Sequence, residues 1–367
     1  MGYRVPVYRP QLGGNEKKYV NDCLDSEWIS SKGKYINLFE DKFCEFIGVK
    51  YAAAVSNGTT ALHLALEALG ISEGDEVIVP TFTYIASVSS IIYTGATPVF
   101  VDSDETDWQM SIEDLKNKIT PKTKAIMVVH LYGHPNRMDE IMAIAKEHNL
   151  LVIEDCAESF GSTYKGKHTG TFGDIATFSF YGNKTVTTGE GGMVVTNDYY
   201  LYDKAYHLKM HGVSSVRHYW HDVIGYNYRM TNICAAIGLA QLETAEKVIE
   251  RKKQLAKKYN ELLNGLPVTF QPELDGTTNA HWMYTILVEN VKTRNALRDY
   301  LESKSVETRP TFYPVHTMPM FSTQYNKFTV AEDLSIRGIN LPSYPSISDE
   351  DLNYVCGCIK EFFNNRK

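Results

Sequence analysis

Residues 177–195 read TFSFYGNKTVTTGEGGMVV. The apolar run from Thr177 to Phe180 predicts a strand. The run breaks at Gly182, and Asn183 and Lys184 follow. A Thr-rich turn with Gly189, Gly191 and Gly192 leads into a second apolar run, Met193 to Val195. One lysine therefore stands at a strand end, in a loop held close to a sheet, because glycine lets backbone approach backbone or a ligand with no Cβ in the way. Packed surroundings disfavour a charged amine and lower its pKa. A lowered pKa is what an amine nucleophile requires. A plain surface lysine at a hairpin end fits this stretch equally well.

Upstream, strands are predicted at 51–55, 76–79, 97–101, 125–129 and 150–153. Helices are predicted at 61–69, 83–93, 111–119 and 139–148. Short loops between alternating strands and helices imply a mostly parallel sheet covered on both faces. Such sheets bind ligands at the carboxyl ends of their strands. The first strand runs into Ser56-Asn-Gly-Thr-Thr60 and then a helix. Free N–H groups, the positive helix end and hydroxyl donors make that turn an anion site, although a plain connection without a ligand has the same composition. Neither GxGxxG nor GxxxxGK[ST] occurs there, against a dinucleotide fold or a P-loop.

Before these units come an extended lead-in (1–14), a helix at 16–24 that Asn15 should cap, and a helix at 36–46 ended by Gly48. After them come a helix at 199–210 and an irregular aromatic and basic stretch at 211–230. The longest helical pattern, 231–263, is expected to bend. Beyond it the reading is strand 284–288, helix 293–303, strand 307–311, a Pro-rich loop at 313–321 and a last helix at 349–363. The expected fold is α/β: a large sheet domain over residues 1–245 and a smaller α+β domain over 246–367.

The 367 residues carry a net charge of −7 with no long basic run, which argues against nucleic acid as a partner. Six cysteines without a CxxC fit free thiols in a reducing compartment, hence the cytoplasm. No apolar run reaches membrane-span length. His130 and His134 straddle a glycine and a proline, and His207 and His211 lack the Glu of an HExxH, so no metal site is expected. Glu154 and Asp155 are strand neighbours and should point to opposite faces, against a paired acid/base role.

Asp155 ends an apolar strand, where a carboxylate needs a partner. A salt bridge or a helix cap would satisfy it; so would a protonated heterocyclic nitrogen. Pyridoxal phosphate asks for a lysine, a carboxylate, a phosphate cup and a stacking aromatic. Lys184, Asp155, Ser56 to Thr60 and Tyr84 supply one of each along one sheet edge.

The stretches SNGTTALHLAL, VPTFTYIAS, GATPVFVD, VIEDCAESFGS, GTFGDIATFSFYGNKTVTTGEGGMV and GYNYRMTNICAAIGLAQL together resemble the DegT/DnrJ/EryC1/StrS family of sugar aminotransferases, over essentially the whole chain. The resemblance implies a type I aminotransferase fold, pyridoxal 5′-phosphate with its pyridoxamine form as amino carrier, and a homodimer with shared active sites. By motif, Lys184 matches the Schiff-base lysine, Asp155 the pyridinium partner and Tyr84 the aromatic over the ring. Ser56, Gly58, Thr59 and Ser179 match the phosphate cup. Asn227 or Arg229 would reach the phosphate from the other subunit. Glu158 stands where many relatives carry His or Gln near the cofactor hydroxyl. Tyr219, Trp220, His221, Tyr313, Pro314 and His316 would face the sugar nucleotide. The likeness within the family implies L-glutamate as donor, a GDP-linked 4-keto-6-deoxymannose as acceptor and a product for O-antigen synthesis. A dTDP- or UDP-keto-sugar is the alternative acceptor. A sugar dehydratase is the remoter one, since those relatives replace the lysine with histidine.

Overall fold

The structure, a computed structural model, describes residues 2–324 and 327–366, with backbone alone for 322–324. The chain opens with α1 (Glu16–Asp25) and α2 (Lys34–Ile47), the second ending at Gly48 with φ 86°. Alternating units follow: β1 (Tyr51–Val55), α3 (Gly58–Leu69), β2 (Glu76–Pro80), α4 (Ile85–Tyr93), β3 (Thr97–Val101), α5 (Ile112–Asn117), β4 (Thr123–Val129), α6 (Met138–His148) and β5 (Leu151–Asp155). Two short strands, β6 (Thr163–Tyr164) and β7 (Lys167–His168), precede β8 (Ile175–Ser179), β9 (Gly192–Thr196) and α7 (Tyr199–Lys209).

Seven of these strands form one sheet in the order β1-β9-β8-β5-β4-β2-β3. β2, β3, β4, β5 and β8 run parallel, β9 is antiparallel to β8, and β1 is antiparallel to β9. Six strands thus point one way, and their carboxyl ends share one edge. Both faces are covered: Val77, Val79, Ile153 and Ile175 pack with α3 and α4, while Ala52, Ala54, Ala176 and Phe178 pack with Phe39 and Phe43 of α2. The strands are near-continuous apolar runs because neither face meets water.

The helical pattern at 231–263 resolves into α8 (Asn232–Leu242) and α9 (Ala245–Leu263), and the expected bend is the break at Glu243–Thr244. A second sheet follows, built from β10 (Val268–Phe270), β12 (Tyr284–Val288), β13 (Arg309–Pro310) and β14 (Gly338–Leu341). β11 (Thr277–Thr278) joins β6 and β7. α10 (Val291–Ser303), α11 (Thr329–Arg337) and α12 (Asp349–Asn364) complete the chain.

Two readings are corrected, and two elements were missed. Asn15 stands at the N-cap of α1 without a side-chain cap bond; its amide donates to Glu243 at 2.7 Å, a long-range partner that outcompetes the local one. The strand expected at 307–311 shrinks to Arg309–Pro310, since Pro310 has no N–H to extend the ladder. α11 and β14, unread in the sequence, abut directly with no turn signal between them. The C-terminal part is welded to the large sheet: Trp282, Val315, Phe328 and Leu334 share a core with Val77 and Phe82. Asp102, at the end of β3, accepts the N–H groups of Val330 and Ala331 in the first turn of α11 (3.2 and 2.8 Å), a carboxylate at the positive end of a helix.

Candidate active site

The site is assembled from the carboxyl ends of β1, β2, β4, β5 and β8. After β1, Asn57 caps α3: its Oδ1 accepts Thr60 N–H (2.9 Å), and Thr60 Oγ1 accepts Asn57 N–H (3.2 Å). Gly58 and Thr59 stand between them, at the start of α3, where helix geometry leaves N–H groups without an intrahelical acceptor. A Cβ on Gly58 would meet Ser179 Cβ at 2.7 Å, and one on Gly192 would meet the Asn57 carbonyl oxygen at 2.5 Å. Two glycines therefore let the turn sit down between β8 and β9, with Ser179 alongside. Ser56 Oγ lies 3.3 Å from Thr60 Oγ1. The expected cup of Ser56, Gly58, Thr59 and Ser179 is brought together, and its donors suit a phosphate dianion.

Asp155 ends β5 and is buried. Its Oδ2 accepts from Ser87 Oγ (2.8 Å) and its Oδ1 from Ala157 N–H (3.0 Å). Burial pushes its carboxyl up, opposed by these two donors and by Lys184. Beside it in register stands Thr177, whose buried hydroxyl has no hydrogen-bond partner. An orphaned hydroxyl next to a buried carboxylate, above a glycine-cut cup, is the polarity that the ring and phosphate of pyridoxal phosphate fit. Glu154 points to the opposite face, as read from the strand, and its oxygens accept from Gly170, Phe172 and Gly173 N–H groups and meet His130 Nε2 at 3.1 Å.

Lys184 follows β8 in a turn pinned on three sides. Its N–H donates to Tyr181 O (2.9 Å), its carbonyl accepts from Tyr8 Oη (2.5 Å), and the Asn183 carbonyl accepts from Trp282 Nε1 (2.8 Å). Its Nζ lies 3.8 Å from the centroid of the Trp282 ring. Burial lowers its pKa, while Glu158 and then Asp155 pull it back up. Glu158 is buried, and its Oε2 accepts Tyr132 N–H at 2.7 Å. Tyr132 holds a left-handed backbone, φ 57°, rare outside glycine. Burial pushes the Glu158 carboxyl up to about 7, with Lys184 opposing.

Tyr84 stands at the N-cap of α4, exposed, its ring 5.7 Å from that of Phe312. Phe312 stacks on Tyr132 (5.4 Å) and Trp282 (6.3 Å). Tyr313 is exposed beside this stack, but Pro314 is buried. His316, expected to face a sugar nucleotide, is corrected: it is wholly buried, its Nδ1 2.6 Å from Thr81 Oγ1 and its Nε2 3.3 Å from Glu332 Oε1. Both ring nitrogens are occupied in fastening its loop to the end of β2. Arg229 pairs through its backbone with Val55, and its Nε donates to Asn227 Oδ1 (2.9 Å), so both lie beside the phosphate-cup turn of their own chain. Tyr219, Trp220 and His221 ride on the exposed loop that these two residues anchor; Arg217 covers Trp220 and His221 Nδ1 meets His211 O at 2.9 Å.

The parts that Trp282, Ser87, Thr177 and Tyr8 play at the site went unread in the sequence. Tyr8 reaches Lys184 across 176 residues of chain, and no local pattern encodes such a meeting.

The model of the DegT/DnrJ/EryC1/StrS aminotransferase family matches residues 10–360. The chain belongs to this family. Among its relatives, the GDP-perosamine synthase of Escherichia coli O157:H7 is 63% identical over 362 residues, covering 99% of each chain. The GDP-perosamine synthase of Vibrio cholerae is 51% identical, covering 98% of this chain and 99% of that one. Among solved structures, the aminotransferase from Psychrobacter cryohalolentis superposes with a TM-score of 0.92 at 33% identity, over 98% of this chain and 99% of that one. The α/β fold with its large mostly parallel sheet is that of the family's aminotransferases. Among the described residues, no helix is long and apolar enough to cross a membrane.

Proposed function

We propose that this protein moves an amino group from L-glutamate to the C4 ketone of GDP-4-keto-6-deoxy-D-mannose, giving GDP-perosamine, with pyridoxal 5′-phosphate as cofactor. The observation that carries the reading is the gathering of Lys184, Asp155 and the phosphate-cup turn at the carboxyl-end edge of one sheet, in a chain 63% identical along its length to a protein named GDP-perosamine synthase. When bound, the cofactor supplies an electron sink that stabilises negative charge beside the transferred nitrogen.

The chain supplies the rest. Lys184 Nζ would hold the cofactor covalently, and burial, by disfavouring the charged form, favours the neutral amine such attack needs. Once released, the same nitrogen would serve as the positioned general acid/base that takes a proton from the donor α-carbon and returns it to the carbon on the other side of the transferred nitrogen. Asp155 would face the ring nitrogen, and a carboxylate already held by Ser87 and Ala157 needs no reorganisation to keep that nitrogen protonated. The α3 turn with Ser179 would seat the phosphate. Glu158, fixed by Tyr132, would lie toward the ring hydroxyl, and Tyr84 would cover the ring.

The reading includes a cytoplasmic homodimer. Val216, Tyr219 and Ile224 are each more than 90% exposed on the loop that Asn227 and Arg229 anchor, and a second copy would cover them. The reading also places Tyr219, Trp220, His221 and Tyr313 toward the nucleotide sugar.

The test is a panel of GDP-, dTDP- and UDP-linked 4-keto-6-deoxy sugars with glutamate. The account expects amination of the GDP sugar at least tenfold faster than of the others. Preference for dTDP or UDP would overturn the substrate assignment.

A further inference from the structure

Lys184 has no carboxylate within hydrogen-bond distance among the described residues, yet its Nζ is not loose. It sits 3.8 Å from the centroid of the Trp282 indole, well inside cation–π range. The indole is fixed. Trp282 is 5% exposed; its Nε1 donates to the Asn183 carbonyl (2.8 Å), and its own carbonyl accepts from Lys252 Nζ (3.2 Å). Its ring is flanked by Tyr132, nearly parallel at 11°, and by Phe312. Trp282 enters from the loop before β12, so the second sheet delivers it to a lysine borne by the first.

We propose that the Trp282 indole face is the resting seat of the Lys184 ammonium during the interval when the lysine, released from a cofactor, carries a proton. This rests on the proposed role of Lys184. A lysine released in a buried site must hold a proton without a carboxylate to bond it. The indole quadrupole attracts the ammonium and not the neutral amine, so it partly offsets the desolvation that lowers the Lys184 pKa. The seat also fixes where Nζ waits. Trp282 is thus a positioning residue, acting through Lys184.

Other groups around the lysine are accounted for. Asp155 and Glu158 favour the ammonium from the β5 side. Tyr8 and Tyr132 are held neutral by burial. Lys252, pushed down to about 7, bonds the Trp282 carbonyl rather than its ring, and His281, pushed down to about 3, is the residue before Trp282.

The experiment measures the rate at which the full-length protein captures added pyridoxal phosphate on Lys184, trapped by borohydride and read as a mass increase on the Lys184 peptide, across pH. Only the neutral amine adds to the aldehyde, so the midpoint of the profile reports the Lys184 pKa. Trp282→Leu should move that midpoint down by about 0.5–1.5 pH units, and Trp282→Phe should move it by less. Because Leu also removes buried packing at this position, the protein is also made with mono-, di- and trifluorotryptophan, which weaken the π face while keeping shape and the Nε1–H. Its midpoint should fall stepwise with fluorine number. A flat fluorine series, or equal shifts in Phe and Leu, overturns the seat. Absence of any borohydride mass increase on Lys184 in the unsubstituted protein would instead overturn the role of Lys184 itself.

Discussion

Gly58→Ala is the sharpest probe of the phosphate cup. The new Cβ would lie 2.7 Å from Ser179 Cβ and 3.0 Å from Ser179 Oγ. Carbon atoms in contact normally sit about 3.5–4.0 Å apart, so the turn and β8 must separate by about 0.8 Å. Neither side yields easily: Ser179 is the last residue of β8, paired with Gly192, and Gly58 opens α3 directly after its cap. Overpacking of this kind costs about 1–3 kcal/mol. Falling on the N–H groups that would bind phosphate, it weakens pyridoxal phosphate by roughly 5- to 150-fold. Titration of the variant with pyridoxal phosphate and with pyridoxal separates site from fold, because pyridoxal lacks the phosphate and should lose less than about twofold in affinity. Gly357→Ala, on α12 with open space around its would-be Cβ, is the neutral control. Equal losses for both ligands, or no loss for either, would refute the cup.

Three further outcomes are expected. Asp155→Ala should still bind some cofactor but lose about 10²–10³-fold in single-turnover rate, the scale of a preorganised electrostatic group; wild-type rates would contradict its role. Glu158 is raised from an unfolded value of about 4.3 to about 7 in the fold. It therefore contributes stability that is fully present below about pH 4.3 and is lost as pH rises through about 7. Glu158→Gln should flatten the decline in urea-unfolding free energy between about pH 4.3 and 7, and an unchanged slope would count against the buried carboxyl. Tyr8→Phe removes the hydroxyl that bonds the Lys184 carbonyl, a loss of about 0.5–1.5 kcal/mol; it should loosen cofactor binding a few-fold, and unchanged affinity would show that the N-terminal arm does not steady the lysine.

The α/β alternation was legible because buried parallel strands and amphipathic helices carry strong periodic signals, and β1, β3 and β12 fall where the pattern put them. The edge where Ser56, Asp155 and Lys184 gather follows from that alternation alone, since parallel strands send their carboxyl ends to one side. What the chain order hides is the delivery of distant groups. Ser87 is an unremarked residue of a helix until α4 packs against the end of β5 and presents its hydroxyl to Asp155. Trp282 precedes a strand of another sheet and meets Lys184 only because the two cores merge. His316 misled in the other direction: a histidine in a Pro-rich loop looks available until Thr81 and Glu332 occupy both its nitrogens.

The most direct test follows the nitrogen. With pyridoxal phosphate, [15N]glutamate and GDP-4-keto-6-deoxy-D-mannose, the account predicts one 2-oxoglutarate formed per labelled GDP-amino-sugar. It also predicts no product from Lys184→Ala. Turnover by Lys184→Ala at the wild-type rate, or a product without the label, would contradict it.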